Sequence, residues 1–288
     1  MRTLHYHVVN VFTAPDGNPF SGNALAVFPH ADGVSDARMQ AIAQQLNLSE
    51  TTFVRDCARE TTGADADVRI FTPGYELPFA GHPTLGTAAV LDTERGLGGE
   101  VALRFPSGTV PVSIRDGLVT LTAQPPRYRD APDDSVLAGA LGLAASRFAG
   151  RARFVDTGTE QLIVPVATAG DVFACQPDIT RFGEAAVNGR GIAQALVWAP
   201  SEAGIVARFF WVQAGQIGED FGTGSACANL GGWLLGQGQT LPFSSTMLQG
   251  HGVNRLAHLQ LDLTGNGAIR VSGRVRRIGY GTFELPDE

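Results

Sequence analysis

The chain has 288 residues and a formal net charge of -7, with 44% hydrophobic and 17% charged residues. That content supports a packed core in one large domain or two of roughly 140 residues, and it excludes a disordered chain. The acidic balance, with no Arg-dense stretch, argues against a nucleic-acid partner, and no apolar run is long enough to span a bilayer.

All 21 basic residues are arginine. The absence of lysine removes a pyridoxal Schiff base, a lysine general base and a P-loop lysine together. Cys57, Cys175 and Cys227 are widely spaced and form no CxxC pair, which suits a reducing compartment and no structural zinc. The first twenty residues show no basic stretch followed by an apolar one, so the expectation is a cytoplasmic protein without a signal peptide.

Taken in chain order, residues 4–12 alternate and are rich in β-branched side chains, which predicts a strand. Turn chemistry fills 13–23, followed by a short apolar strand over 24–28. Ser35 is a candidate N-cap for a helix over 36–46, with Met39, Ile42, Ala43 and Leu46 at helical spacing. Strands are predicted over 48–54 and 68–71, with a further short segment at 76–80. Gly81-His82-Pro83-Thr84 then opens an apolar helix over 85–91. Strands at 100–105, 108–115 and 118–123 lead to a Pro-rich, polar linker ending near 134. The second half predicts a helix over 135–148 and β-rich runs at 161–166, 195–198 and 205–212. A loop or short strand follows at 216–221, and Gly222-Thr223-Gly224-Ser225 opens a helix over 226–235. Late strands fall at 256–263, 268–275 and 278–283.

The halves resemble each other. Arg69-Ile70-Phe71 leads in about a dozen residues to Gly81-His82-Pro83-Thr84 and a helix, and Arg208-Phe209-Phe210 leads similarly to Gly222-Thr223-Gly224-Ser225 and a helix. An internal duplication is expected. Each helix start would present unpaired N–H groups, and two such ends across a cleft would hold an anion, most simply a carboxylate.

The glycine-rich turn at 222–225 is not a dinucleotide site. Cys227 stands where a third small residue is required, and no acid follows about 20 residues later. It reads as a helix start capped by Thr223 or Ser225, with or without a ligand. Glu50 is either a solvated strand-end glutamate or, with Leu48 and Phe53 buried, a desolvated acid suited to proton transfer. Asp220 is a loop acid with the same two readings. His82 either caps its own helix or shuttles protons. His5 and His7 have two-ligand metal spacing but no third ligand, and read as a surface strand. Cys227 reads as a small buried residue rather than a reactive thiolate.

Several segments together resemble the PhzF-like (phenazine-biosynthesis-like) family of the diaminopimelate-epimerase-like superfamily. They are PFSGNALAVF at 19–28, LNLSETTFV at 46–54, RIFTPGYELPFAGHPTLGTA at 69–88, GEDFGTGSACANLGGWL at 218–234, QGHGVNRLAHLQL at 249–261 and IRVSGRVRRIGYGTF at 269–283. The resemblance spans nearly the whole chain. It implies a mixed α/β (α+β) fold of two pseudo-symmetric lobes, each a curved sheet around a central helix. The lobes would be 1–120 plus 276–288, and 121–275, with the active site in the cleft between them.

The resemblance also implies a homodimeric, cofactor-free and metal-free isomerase that moves a proton on a small carboxylate substrate. Its founding reaction isomerises trans-2,3-dihydro-3-hydroxyanthranilate. The family's catalytic residues fall on Glu50, His82 and Asp220. Its substrate-binding positions fall on Asn23, Gly81, Thr84, Gly222, Thr223, Gly224 and Ser225. Related racemases open the two helix motifs with cysteines, whereas Ala80 and Phe221 stand at those places here. The alternatives are an epimerase or isomerase of another small amino or hydroxy acid, and a non-catalytic small-acid-binding homologue.

Overall fold

The alternating first segment forms the strand Arg2–Val11 in the computed structural model, which describes residues 2–213 and 215–286. Packing divides the chain into two units, Met1–Leu121 with Ser272–Glu288, and Thr122–Val271.

In the first unit, Arg2–Val11 lies between two antiparallel neighbours, Val275–Leu285 and Asn23–Phe28. Asn23–Phe28 runs parallel to Glu50–Arg55, and the helix Asp36–Leu46 makes the crossover. Glu50–Arg55 is antiparallel to Ala66–Phe71, which makes a hairpin with Glu76–Leu77 and a parallel pair with Glu100–Phe105. The crossover of that parallel pair is the helix Gly81–Arg95, and Gly108–Arg115 and Leu118–Thr122 complete the sheet as a meander.

The two helices meet opposite faces of the sheet. Met39, Ile42 and Ala43 of the first pack on Phe28, Phe53 and Phe71. Gly81–Arg95 touches strands from both ends of the sheet order, from Val275–Leu285 to Gly108–Arg115, so the sheet curves around it. An amphipathic stripe does not suffice for such a position, and ten of its residues, from Gly81 to Leu91, are buried. Gly86 permits the close approach: a Cβ there would stand 2.6 Å from Leu25 Cδ2.

The second unit repeats the succession. Arg153–Asp156 lies between Arg127–Asp130 and Glu160–Pro165, both antiparallel. Glu160–Pro165 runs parallel to Gln194–Ser201 through the helices Ala169–Ala174 and Ile179–Ala185. Gln194–Ser201 is antiparallel to Gly204–Gln213, which makes a hairpin with Gln216–Asp220 and a parallel pair with Phe243–Gln249. The helix Gly224–Gly236 is the second crossover, and Ala257–Leu263 follows antiparallel to Phe243–Gln249. Val172 and Phe182 pack on Phe154, Val197 and Phe210 on the face away from that helix. The shared order of antiparallel, parallel, hairpin and parallel pairings is the duplication expected from the paired motifs.

Several segments differ from expectation. The linker before 134 contains the strand Arg127–Asp130, whose four residues are all exposed and so carry no burial pattern. The helix expected over 135–148 is Asp134–Leu141, because Gly142 turns left-handed at φ +67°. The strands Arg153–Asp156 and Phe243–Gln249 and the helices Arg59–Thr62, Ala169–Ala174 and Ile179–Ala185 were not expected. No helix among the described residues is long and apolar enough to cross a membrane.

Candidate active site

Alternation in Glu50–Arg55 decides where Glu50 points. Phe53 faces the outer helix, Asp36–Leu46, stacked on Phe28 with ring centroids 4.9 Å apart. Thr52 faces the inner helix, Gly81–Arg95, its hydroxyl 2.8 Å from that of Thr87. Glu50, two residues before Thr52, shares that inner face and meets the helix at its first turn. Its Oε2 lies 3.5 Å from Nε2 of His82, with the two side chains 17% and 5% exposed. Oε2 is buried and makes no hydrogen bond among the described residues. Burial pushes the Glu50 carboxyl up to about 7, opposed in part by a hydrogen bond from Ser49. The Ser49 hydroxyl also lies 3.1 Å from Asn23 Oδ1, which ties Asn23 to the same group. Gly22 makes the entry to Asn23 possible: at φ +78° it sits where a Cβ would run into the Val11 carbonyl.

The inner helix has no side-chain cap from its N-cap residue. Its N-cap position is Ala80, which has no side-chain acceptor, and Pro83 has no N–H to satisfy. The Thr84 hydroxyl turns back to donate to the Ala80 carbonyl at 2.7 Å. Gly81, His82 and Thr84 therefore all belong to one uncapped first turn, next to Glu50.

The second unit builds its helix start differently. Asp220 ends the strand Gln216–Asp220, accepting from the Phe221 N–H at 2.9 Å and from the Thr223 hydroxyl at 2.6 Å. Thr223 holds the N-cap position but spends its hydroxyl on Asp220, so its side chain does not cap Gly224–Gly236. Ser225 lies inside the helix and accepts from Gln161 Nε2 at 3.0 Å. The reading of either residue as a simple side-chain cap is thus corrected: Thr223 organises an acid, and Ser225 is held by an amide.

Two buried amides that the sequence did not single out as site residues complete this arrangement. Gln249 donates to the Asp220 carbonyl at 3.0 Å and to Thr223 Oγ1 at 2.9 Å, and accepts from the Thr223 N–H at 3.1 Å. Asn229 donates to Gln161 Oε1 at 2.8 Å and accepts from the Thr157 N–H and hydroxyl. Gln249 ends the unforeseen strand Phe243–Gln249, and the signal that could have found it is a polar side chain at the head of the glycine-rich QGHG motif.

An arginine–glutamate pair stands on the corresponding hairpin of each unit. Arg69 grips both carboxylate oxygens of Glu76, one at 2.7 Å, and Arg208 grips both of Glu219, at 3.0 and 2.7 Å. Arg208 also donates to the Cys175 carbonyl at 2.8 Å. Each pair fixes the hairpin that leads to a helix start, and Glu219 immediately precedes Asp220.

Other candidates fall away from this chemistry. His5 is exposed, and His7 is half-buried with its Nε2 2.6 Å from Glu94 Oε1. No group of three or more His, Cys, Asp or Glu able to hold a metal occurs among the described residues. Cys227 is fully buried, and burial pushes its thiol well above the ordinary range.

The family model for phenazine biosynthesis-like proteins matches residues 9–279. The chain belongs to that family. It is 36% identical, over 98% of its length and 94% of the relative's, to a Pasteurella multocida protein described as an uncharacterized isomerase. It is 34% identical to the trans-2,3-dihydro-3-hydroxyanthranilate isomerase of Pseudomonas aeruginosa, over 97% of this chain and 99% of that one. The crystal structure of a PhzF-family phenazine biosynthesis protein from Bacillus anthracis superposes with a TM-score of 0.85, covering 99% of this chain and all of that one at 23% identity. The family assignment makes the protein an isomerase with the diaminopimelate-epimerase-like fold.

Proposed function

We propose that the protein is a cofactor-independent isomerase that moves a proton on a small cyclic carboxylate, of the trans-2,3-dihydro-3-hydroxyanthranilate type, with Glu50 as the proton carrier. The observation that carries this reading is the buried Glu50 carboxyl, pushed up to about 7 and 3.5 Å from His82. A group balanced between acid and base near neutral pH can take a proton from one carbon and return it to another.

In this reading the substrate carboxylate is held by an uncapped helix N-terminus, at Gly81–Thr84 or Gly222–Ser225. His82 and Asp220 bind the amino or hydroxyl group and stabilise charge that develops during transfer. Asn23, through Ser49, keeps the Glu50 carboxyl in place. The support for substrate class is the 34% identity to a named dihydrohydroxyanthranilate isomerase. The support for proton transfer without paired thiols is that Ala80 and Phe221 occupy the positions of the racemase cysteines.

The test is turnover of trans-2,3-dihydro-3-hydroxyanthranilate by wild type and Glu50→Gln, followed by NMR in D2O. The glutamine keeps the shape but cannot cycle a proton, so turnover falls by about 10³-fold or more. A glutamine variant retaining over about a tenth of wild-type turnover moves the role away from Glu50. A wild type inert toward this substrate but active on another small acid moves the reading to that acid.

A further inference from the structure

The internal duplication places a second residue in the position of Glu50. In the first unit Thr51 pairs with Phe71 of the strand bearing Arg69-Ile70-Phe71. In the second, Ala195 pairs with Phe210 of the strand bearing Arg208-Phe209-Phe210. The residue before Thr51 is Glu50, and the residue before Ala195 is Gln194. Glu50 opens a strand parallel to Asn23–Phe28, and Gln194 one parallel to Glu160–Pro165.

Both side chains face an inner helix. Ala195 and Val197 join the cluster under the outer helices, so Gln194, Leu196 and Trp198 face the other way. Trp198 confirms the direction, meeting Trp233 of Gly224–Gly236 edge-on at 5.2 Å between ring centroids. From Trp198 back to Gln194 is about 13 Å along a strand. From Trp233 back to Ser225 is about 12 Å along a helix. Thr52 and Thr87 in the first unit show that strand and helix run in the same sense, with Glu50 at the helix start. Gln194 therefore stands at the level of the uncapped start of Gly224–Gly236.

Its amide carbonyl is unused there: Gln194 Oε1 is buried and has no hydrogen-bond partner among the described residues. A buried carbonyl left without a donor is a cost that the free protein carries. Every neighbouring amide in this part of the unit, Gln161, Asn229 and Gln249, is engaged.

We infer that Gln194 is a substrate-binding residue whose amide carbonyl accepts the hydroxyl or amino group standing next to the carboxylate of the bound acid. The inference rests on the proposed reading of this helix start as a carboxylate site. It adds to that reading the residue that recognises the neighbouring donor: acids with an adjacent hydrogen-bond donor are preferred to plain acids. An amide cannot cycle a proton at neutral pH, so the duplicated position has been divided between a proton carrier in one unit and a recognition group in the other.

The experiment is titration calorimetry of the full-length protein with 2-aminobenzoate and with benzoate. Wild type binds 2-aminobenzoate about five- to tenfold more tightly, the range of one neutral hydrogen bond. In Gln194→Leu the ratio falls to about one, while benzoate affinity stays within about twofold. The melting temperature of the free variant is no lower than wild type, because leucine removes an unpaired buried carbonyl. Gln194→Met, matched in length, behaves in the same way. An unchanged ratio in both variants, a parallel loss for both acids, or a large fall in melting temperature in both variants overturns the inference. A wild type that binds the two acids equally overturns it while leaving the carboxylate site standing. A wild type that binds neither overturns both.

Discussion

Glu50 Oε2 and His82 Nε2 lie 3.5 Å apart in a buried setting, outside the range of a tight charge-assisted hydrogen bond. A short ion pair would hold Glu50 ionised and make it a poor acid. Burial instead dominates and brings the carboxyl to about 7. The spacing leaves the Glu50 carboxyl without a tight ionic partner among the described residues.

The elevated carboxyl predicts a stability that falls with rising pH. The unfolded-chain value is near 4.5 and the folded value about 7. Between them the folded state holds more proton than the unfolded state, so the contribution of Glu50 to stability is lost as pH rises through that window. Glu50→Gln removes the loss. The variant should match wild type near pH 4 and exceed it at pH 8 by up to about 3 kcal/mol. Urea unfolding at the two pH values measures this, and equal wild-type and variant stabilities at pH 8 would refute it. The same ionisation makes kcat/KM of the wild type rise through about pH 7 where Glu50 acts first as base.

The Arg208–Glu219 pair is nearly buried, with side chains 14% and 10% exposed. Arg208→Met should cost about 3–5 kcal/mol, because it leaves a buried carboxylate unpaired. It also removes the donor to the Cys175 carbonyl. Arg208→Met with Glu219→Met should cost clearly less than the sum of the two single changes. Denaturant unfolding of the four proteins closes the cycle, and strictly additive costs would show that the pair does not act as one brace.

The three thiols should react unequally. Cys57 is half-buried and donates weakly to the Ala64 carbonyl, whereas Cys175 and Cys227 are buried. Burial pushes the Cys175 thiol up to about 12. An aromatic disulfide reagent at pH 8 should titrate one thiol in the native protein and all three after unfolding. In Cys57→Ser the native signal should disappear. Fast reaction of two thiols in the native protein would contradict the packing around Gly224–Gly236 or Ala169–Ala174.

Local pattern carried a good part of this structure. Met39, Ile42 and Ala43 were enough to place Asp36–Leu46, and the alternation of Glu100–Phe105 was enough to place that strand. The two helix starts were legible because glycine and small polar residues precede long apolar runs. Arg127–Asp130 was illegible because an exposed edge strand has no hydrophobic alternation to read. The two readings of Glu50 could not be separated along the chain, since its desolvation comes from the inner helix 32 residues away in sequence at His82. Gln194 had no local signal at all. Its relation to Glu50 exists only in the register of two strand pairs far apart in the chain.

The pairing of Arg2–Val11 with Val275–Leu285 has a consequence for biosynthesis. A ribosome delivers the first strand early, but its long antiparallel neighbour emerges only with the last stretch of the fold. The second unit, Thr122–Val271, is contiguous and can complete its sheet before then. The contiguous second unit can thus pair its strands while the first still has an open edge. Nascent chains stalled before Arg276 should present that edge to chaperones, and release of the final strand should close it.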